Sequence, residues 1–427
     1  MARILLTWEL GSGLGHAMNL RPLATELARR GHEIFLAAKD LYHIQQIFES
    51  TPITFMQAPT RSRQSVRADP IVTFADLLFN IGFGDQQLLA AQVAAWRNLF
   101  VQVRPHIIIC DHSPTALLAA RGQPFAVATV GTGFFCPIDE TPLRLLRKVP
   151  PDDLPAVRAR EQQVVENMNW ALKELPARRI VKKVIASSIV VSPSNPLISN
   201  LNPAKEAEKN EIERVTQLYH DGQTKHFLLT FPELDHFRDR KNGDYRGAWP
   251  YGLTGQPFVR PASGKCVFAY LKPFPALEEF LTLLAKSLIS ATLYIDGWQE
   301  TEWAKYRTER LHFATGPVEI HQAATGCDAA ITNANHGTCV AMLLAGKPLV
   351  HVPPFLEQTL LAAAIDRLSA SITANQSDPN AIFRAIERVL AEPAFTAAAQ
   401  QFAARHANDS QEESIRRLID DLEALVV

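Results

Sequence analysis

Residues 4–38 read ILLTWELGSGLGHAMNLRPLATELARRGHEIFLAA. Ile4 to Trp8 is an apolar run of strand length, and Gly11, Gly13 and Gly15 remove Cβ atoms where a backbone must turn sharply or approach a ligand closely. Leu20, Leu23, Leu27 and Ala28 then recur at helical spacing, Arg29 and Arg30 suit the helix C-terminus, and Gly31 can stop the helix before a second strand, Glu33–Ala38. This is the opening of a βαβ unit. Ligands of such units sit beyond the carboxyl ends of the strands, so His16, delivered to the mouth of the helix, is a candidate for chemistry. The glycines follow GxGxG rather than GxGxxG, and no well-placed acidic residue ends the second strand, which weighs against a nicotinamide dinucleotide site.

The rest of the first half continues the alternation. Ile53–Met56 is a short strand, HIIICD ends a continuous apolar strand at Asp111, and a helix over Thr115–Arg121 and the strand PFAVATV follow. Apolar runs without polar alternation suit parallel strands buried on both faces. Between residues 57 and 104, Phe74, Phe79, Phe83, Trp96 and Phe100 read as helical core packing, with an acceptor pocket as the other use for such aromatics. Arg61, Arg63 and Arg67 read as a solvated loop. Residues 134–160 are proline-rich; helix-like sequence through Lys183, a strand-like SSIVVS, an exposed helix in AKEAEKNEIERVTQLYHDG and a strand FLLTF come next. Asp239–Gly264, dense in Gly, Pro, Arg and Tyr, reads as a loop or interdomain linker.

A second α/β series starts at KCVFAYL and runs through ATLYIDG, LHFAT, CDAAIT and KPLVHVP. Two such series predict an α/β protein of two Rossmann-like domains facing a cleft: residues 1–250, residues 251–402, and a helical tail, 403–427. In the tail Ile415, Leu418, Ile419, Leu422 and Leu425 form a stripe that must pack on the body of the protein.

With 427 residues, 47% of them hydrophobic and 20% charged, the chain can bury more than one core. A formal net charge of −1 gives no field to attract nucleic acid or an anionic membrane. No apolar run is long enough to span a bilayer and the N-terminus enters a strand at once, so a cytoplasmic protein is expected. Five scattered cysteines without a CxxC pair indicate neither a disulfide framework nor a zinc site.

The segment CDAAITNANHGTCVAMLLAGKPLVHVPPFLEQ carries the second constellation. A strand ends at Thr332, a polar turn NANHGT follows, and a helix begins near Thr338, whose free N–H groups and dipole form an anion site suited to phosphate. Asn333, Asn335, His336 and Thr338 can supply further donors. A further strand delivers Glu357 and Gln358, a carboxylate beside an amide, as adjacent hydroxyls of a sugar require.

Three of these features together resemble family-one glycosyltransferases, the group of UDP-glucuronosyl, plant and bacterial natural-product enzymes. GSGLGH with RPLATELARRGHEI is similar to the family's GHxxPxxxLAxxLxxRGHxV, and HIIICDHSPTALLAARGQPFAVATVG to its strand, aspartate and helix. ITNANHGTCVAMLLAGKPLVHVPPFLEQ is similar to the donor signature THGGxGTxxEALxxGxPxVxxPxxxDQ. The resemblance implies a GT-B fold and inverting transfer of a sugar from a UDP- or dTDP-linked donor to a hydroxyl of a small or lipid-like acceptor. It makes His16 the general base and Asp111 its orienting partner; Gly15, Asn333, Asn335, His336, Gly337 and Thr338 go to the donor side, and Glu357 with Gln358 to the sugar hydroxyls. A histidine has an ordinary pKa near 6.5, and a buried carboxylate can fix its tautomer and stabilise the imidazolium. No DxD pair occurs in the chain, in keeping with the metal-independent mechanism the resemblance implies; no cofactor is expected beyond the nucleotide-sugar co-substrate.

The chain departs from the pattern in the donor signature. Asn333 stands where the family has histidine, Ala334 and Asn335 where it has two glycines, and Thr315 near the place of its base-stacking aromatic. His336 can substitute for the lost histidine. A 2-epimerase-type nucleotide-sugar isomerase, which shares the architecture, and a non-catalytic nucleotide-binding helper protein are the two other readings.

Overall fold

The computed structural model describes residues 1–11, 15–49, 51–60, 67–174, 211–249 and 255–426. Ser12, Gly13 and Leu14 of the first turn, Arg61 and Arg63, the SSIVVS segment and the first part of the charged stretch lie outside the described residues. The chain divides into two compact units: Met1–Gly131 with Phe135–Phe227 and Leu418–Val427, and Thr132–Phe134 with Leu228–Arg417. The loop over 239–264 falls in the second.

The first unit holds strands β1 (Arg3–Trp8), β2 (Glu33–Ala38), β3 (Ile53–Gln57), β4 (Ile107–Asp111), β5 (Ala126–Gly131) and β6 (Lys225–Leu228). They form one sheet in the order β3-β2-β1-β4-β5-β6, with β3 through β5 parallel. Its helices are α1 (Gly15–Arg29), α2 (Leu41–Ile47), α3 (Phe74–Leu78), α4 (Gln86–Val103), α5 (Pro114–Ala120) and α6 (Leu154–Glu174). Every residue of β4 is buried, as a strand covered on both faces must be. Phe74, Phe79, Phe83, Trp96 and Phe100 all lie in the hydrophobic core, which settles their use as packing.

The second unit repeats the plan. Strands β7 (Cys266–Leu271), β8 (Ser290–Ile295), β9 (Leu311–Phe313), β10 (Ala329–Thr332), β11 (Leu349–His351) and β12 (Ser371–Thr373) form a parallel sheet in the order β12-β11-β10-β7-β8-β9. Helices α7 (Leu277–Ala285), α8 (Glu300–Trp303), α9 (Ile320–Gly326), α10 (His336–Leu344), α11 (Leu356–Arg367), α12 (Pro379–Ala391) and α13 (Pro393–Arg405) belong to it. Counted from its own first strand, each sheet has the doubly wound order 3-2-1-4-5-6. The order reverses between β1 and β4 in the first unit and between β7 and β10 in the second, so each sheet has a crevice for ligand there.

The last helix, α14 (Gln411–Ala424), buries Ile415, Leu418, Ile419 and Leu422 of the stripe read from the sequence, while Leu425 lies beyond the helix end and is half-buried. In the first unit its end grips the end of α1. Arg30 Nη1 donates to Asp420 Oδ1 and Glu423 Oε2, both at 2.6 Å, and His32 Nε2 lies 2.7 Å from Glu423 Oε1. Gly31, with φ +86°, ends α1 as expected.

Two local expectations fail. The strand expected in FLLTF is β6, which begins two residues earlier and ends at Leu228. Glu211–Gly222 is no exposed helix but a short 3₁₀ turn at Val215–Leu218, because Ile212, Val215, Leu218 and Tyr219 are drawn into the core. Among the described residues no helix is long and apolar enough to cross a membrane.

Candidate active site

The two crevices collect most of the residues singled out in the sequence. In the first unit, β1 and β4 run side by side with Trp8 opposite Asp111, so Asp111 ends its strand at the crevice mouth. His16, the second residue of α1, turns back to it: Nδ1 lies 2.8 Å from Asp111 Oδ1. Asp111 is fully buried and His16 nearly so. The carboxylate's second oxygen, Oδ2, is also buried, without a hydrogen-bond partner. A carboxylate bound to Nδ1–H fixes the tautomer that carries the lone pair on Nε2. Gly15 opens α1 at an exposed position where a side chain would meet nothing.

Two glycines make room for this pair. A Cβ on Gly11, whose φ is +94°, would stand 2.2 Å from His16 Nε2; one on Gly131, with φ +135°, would stand 3.1 Å from Asp111 Oδ1. Trp8 stacks on the imidazole at 5.8 Å between ring centroids, and Phe135 approaches it at 5.0 Å. His112, next in the chain to Asp111, is half-buried beside the pair. It takes a left-handed backbone (φ +44°), stacks on Phe135 at 3.9 Å and lies 5.6 Å from the His16 ring. Burial, then the charges of His16 and Lys39, push its pKa well below the ordinary value, so it is a neutral ring. Glu9, which the sequence reading passed over, is buried just past β1, where its Oε2 accepts from the N–H groups of Thr115 and Ala116 at the start of α5. A carboxylate following a strand was the available signal.

In the second unit β10 ends at Thr332, and α10 begins four residues later. Asn333 is almost wholly buried and spends its amide on the scaffold: Nδ2 donates to the Val352 carbonyl at 2.7 Å, and Oδ1 accepts from the Lys272 N–H at 2.5 Å. It thereby ties the chain beyond β10 to the chain beyond β7 and β11. Ala334 takes the left-handed region at φ +58°, its N–H donating to Thr332 Oγ1 at 3.0 Å. Asn335 occupies the N-cap position without capping, and its Oδ1 is buried without a partner.

His336 opens α10 half-buried, with Nε2 2.8 Å from Thr230 Oγ1. Burial lowers its pKa to about 4, so at neutral pH it carries no charge and does not replace a cationic histidine. Gly337 is exposed and Thr338 buried in the first turn, where helix geometry leaves N–H groups without intrahelical acceptors. Glu357 and Gln358 lie in the first turn of α11, half-buried, and Gln358 Oε1 is buried without a partner. Thr315 hydrogen-bonds Gln256 through both its N–H and its hydroxyl.

The whole chain superposes on solved glycosyltransferases. VinC, solved with dTDP, matches at TM-score 0.60 and 16% identity over 98% of this chain and 100% of its own. The calicheamicin glycosyltransferase CalG4 matches at 0.64 and 14% over 100% and 98%, and SnogD from Streptomyces nogalater at 0.59 and 15% over 99% of each. The fold is that of the GT-B glycosyltransferases. No family model and no curated protein matches the sequence. In this GT-B chain the two sheets keep their form at 14–16% identity because the buried runs that build them need only be apolar and of strand length.

Proposed function

We propose that the chain is an inverting, metal-independent glycosyltransferase that moves a sugar from a nucleoside diphosphate, UDP or dTDP, to a hydroxyl of a small-molecule or lipid-like acceptor. The observation that carries this reading is the His16–Asp111 pair: a 2.8 Å contact to a fully buried carboxylate, at the switch point of the first sheet. His16 Nε2 takes the proton of the acceptor hydroxyl. The oxygen forms its bond to the anomeric carbon from the face opposite the leaving group, and the carbon–oxygen bond to the diphosphate breaks with its electron pair. Asp111 holds the imidazole and balances the positive charge that develops on it. The head of α10, with Gly337 and Thr338, receives the diphosphate and its growing negative charge. Glu357 and Gln358 contact the sugar, and Asn333 positions the turn.

The fold shared with natural-product glycosyltransferases supports this reading, as do the dTDP held by VinC and the spinosyn aglycone held by SpnG. The intact His16–Asp111 pair favours turnover over mere nucleotide binding. The test is incubation with a panel of nucleotide sugars and acceptors, following free nucleoside diphosphate and glycosylated product. Release that depends on both His16 and Asp111 is expected; sugar interconversion without release would replace this reading with isomerisation.

A further inference from the structure

In the second unit an acid stands at the carboxyl end of the sheet, and the proposed reaction assigns it no part. Asp296 directly follows β8, the second strand of its sheet, and the end of that strand is where doubly wound nucleotide-binding sheets carry an acid for the ribose hydroxyls. Gly297, with φ +90°, turns the chain immediately afterwards, and the Asp296 side chain is 39% exposed and open to a ligand. A chain of contacts ties it to the donor turn. Its N–H donates to the carbonyl of Leu271, the last residue of β7, at 2.8 Å, and the next residue, Lys272, donates its N–H to Asn333 Oδ1 at 2.5 Å. Thr332, Tyr270 and Tyr294 stand side by side in register on β10, β7 and β8, and the two half-buried tyrosine rings pack against the core that holds Val340 and Met342 of α10. With neighbouring strands about 4.8 Å apart, Asp296 lies about 10 Å along the sheet edge from the turn that leads to the head of α10. A nucleoside diphosphate lying along this edge with its phosphates at that helix head passes its ribose over the ends of β7 and β8.

The partners of Asp296 within the fold leave it acceptor capacity. The Tyr294 hydroxyl donates to Oδ1 at 3.4 Å, longer than a good hydrogen bond, and the Lys272 ammonium lies 3.8 Å from Oδ2, an ion pair without hydrogen-bond contact. A carboxylate has about four acceptor positions, so most are unused. A partly exposed ion pair of this kind adds little stability, which leaves the acid without a structural purpose, while the lysine offsets its repulsion of the phosphates. We propose that Asp296 accepts a hydrogen bond from the ribose 2′-hydroxyl of the donor nucleotide and so selects a UDP-linked sugar over its deoxyribose counterparts, dTDP-linked sugars among them. This rests on the donor-binding reading above and narrows the donor which that reading leaves open. A deoxyribose presents only C–H to the carboxylate and forgoes a charge-assisted hydrogen bond.

The experiment is calorimetric titration of wild type, Asp296→Ala and Asp296→Asn with UDP, dUDP and dTDP, the first two of which differ only in the 2′-hydroxyl. Wild type is expected to bind UDP about 10- to 100-fold more tightly than dUDP, the usual effect of a hydrogen bond to a charged group. Asp296→Ala should lose about that factor for UDP, while its affinity for dUDP moves less than about threefold. Asp296→Asn, which keeps a neutral acceptor, should retain part of the preference. Equal wild-type affinity for UDP and dUDP overturns the proposal, as does tighter binding of dTDP than of UDP. It is overturned too if Asp296→Ala keeps the full preference, since another group then reads the hydroxyl, or loses both ligands alike, since the acid then only shapes the site. A wild type that binds none of the three overturns the donor-binding reading itself.

Discussion

Replacing Asp111 with asparagine keeps the shape of the buried group but changes what it offers His16. The carboxylate accepts at 2.8 Å from Nδ1 and is wholly removed from water. An amide that presents its NH₂ to Nδ1 reverses this bond and places the ring proton on Nε2, the nitrogen that must accept the acceptor's proton. The electrostatic part is sizeable as well. Unit charges about 4 Å apart at an effective dielectric constant of about 20 interact by about 4 kcal/mol, which the developing imidazolium would lose. That corresponds to about 10³ in rate and falls within the 10²- to 10⁴-fold typical of a general base. Asp111→Asn should therefore lower kcat by about 10²- to 10⁴-fold, measured as nucleoside diphosphate release under saturating donor and acceptor. Binding of the diphosphate, measured by calorimetry, should not move, because the site proposed for it is built from residues of the second unit. Activity within about threefold of wild type would refute the assignment of His16 as base.

Gly11→Ala should reach the same base by displacement: its Cβ would stand 2.2 Å from His16 Nε2 and its φ is +94°. Activity should fall at least tenfold, with a stability cost of about 1–2 kcal/mol in urea unfolding, a loss borne by the turn rather than by the core. Ala334→Gly relieves a left-handed alanine, about 1–2 kcal/mol, but gives up a buried methyl and adds unfolded-chain entropy, so stability should stay within about 1 kcal/mol of wild type. Ala334→Val, β-branched at the same φ, should cost about 2 kcal/mol or more in the same urea titration. His236, with a pKa of about 3, and His336 and His351, each about 4, are held neutral in the folded second unit and take up protons on unfolding. The stability this neutrality confers is complete above about pH 6.5 and is lost as the pH falls towards 4. By pH 5 the loss is at most about 2 kcal/mol for each fully buried ring and less for His336; unfolding midpoints at pH 7 and pH 5 should show it, and His236→Phe should reduce the difference.

The fold was legible because its signals are local. Buried parallel strands announce themselves as apolar runs, as IIICD does, and a glycine at the end of an amphipathic helix marks the stop at Gly31. Where a segment's fate depends on distant partners, local sequence misleads. The charged stretch ending at Gly222 has helical composition, yet its apolar residues are claimed by the core, Tyr219 packing edge-on against Phe74. The His16–Asp111 pair was legible only through the resemblance to a known family; the structure brings the two together because they follow and end β1 and β4, neighbours in the doubly wound order.

The donor side was legible in its backbone and not in its side chains. The strand, turn and helix of CDAAITNANHGT are present, and the helix head is where phosphate is expected. What Asn333 does is decided by Lys272, 61 residues earlier, and by Val352 beyond the next strand. The charge on His336 is decided by burial beside Thr230, 106 residues earlier. Asn333 as a strut and His336 as a neutral ring leave the head of α10 with partial positive charge from its own N–H groups, equivalent to about half an elementary charge. Lys272, at the end of β7, brings a full cation to the same edge of the sheet, its ammonium 3.8 Å from Asp296. Thr332, which precedes the turn, pairs in register with Tyr270, two residues before that lysine. The Lys272 ammonium is matched with a carboxylate beyond β8, on the far side of β7 from the turn, so the charge that an asparagine at position 333 cannot carry is left to the N–H groups of the helix head itself.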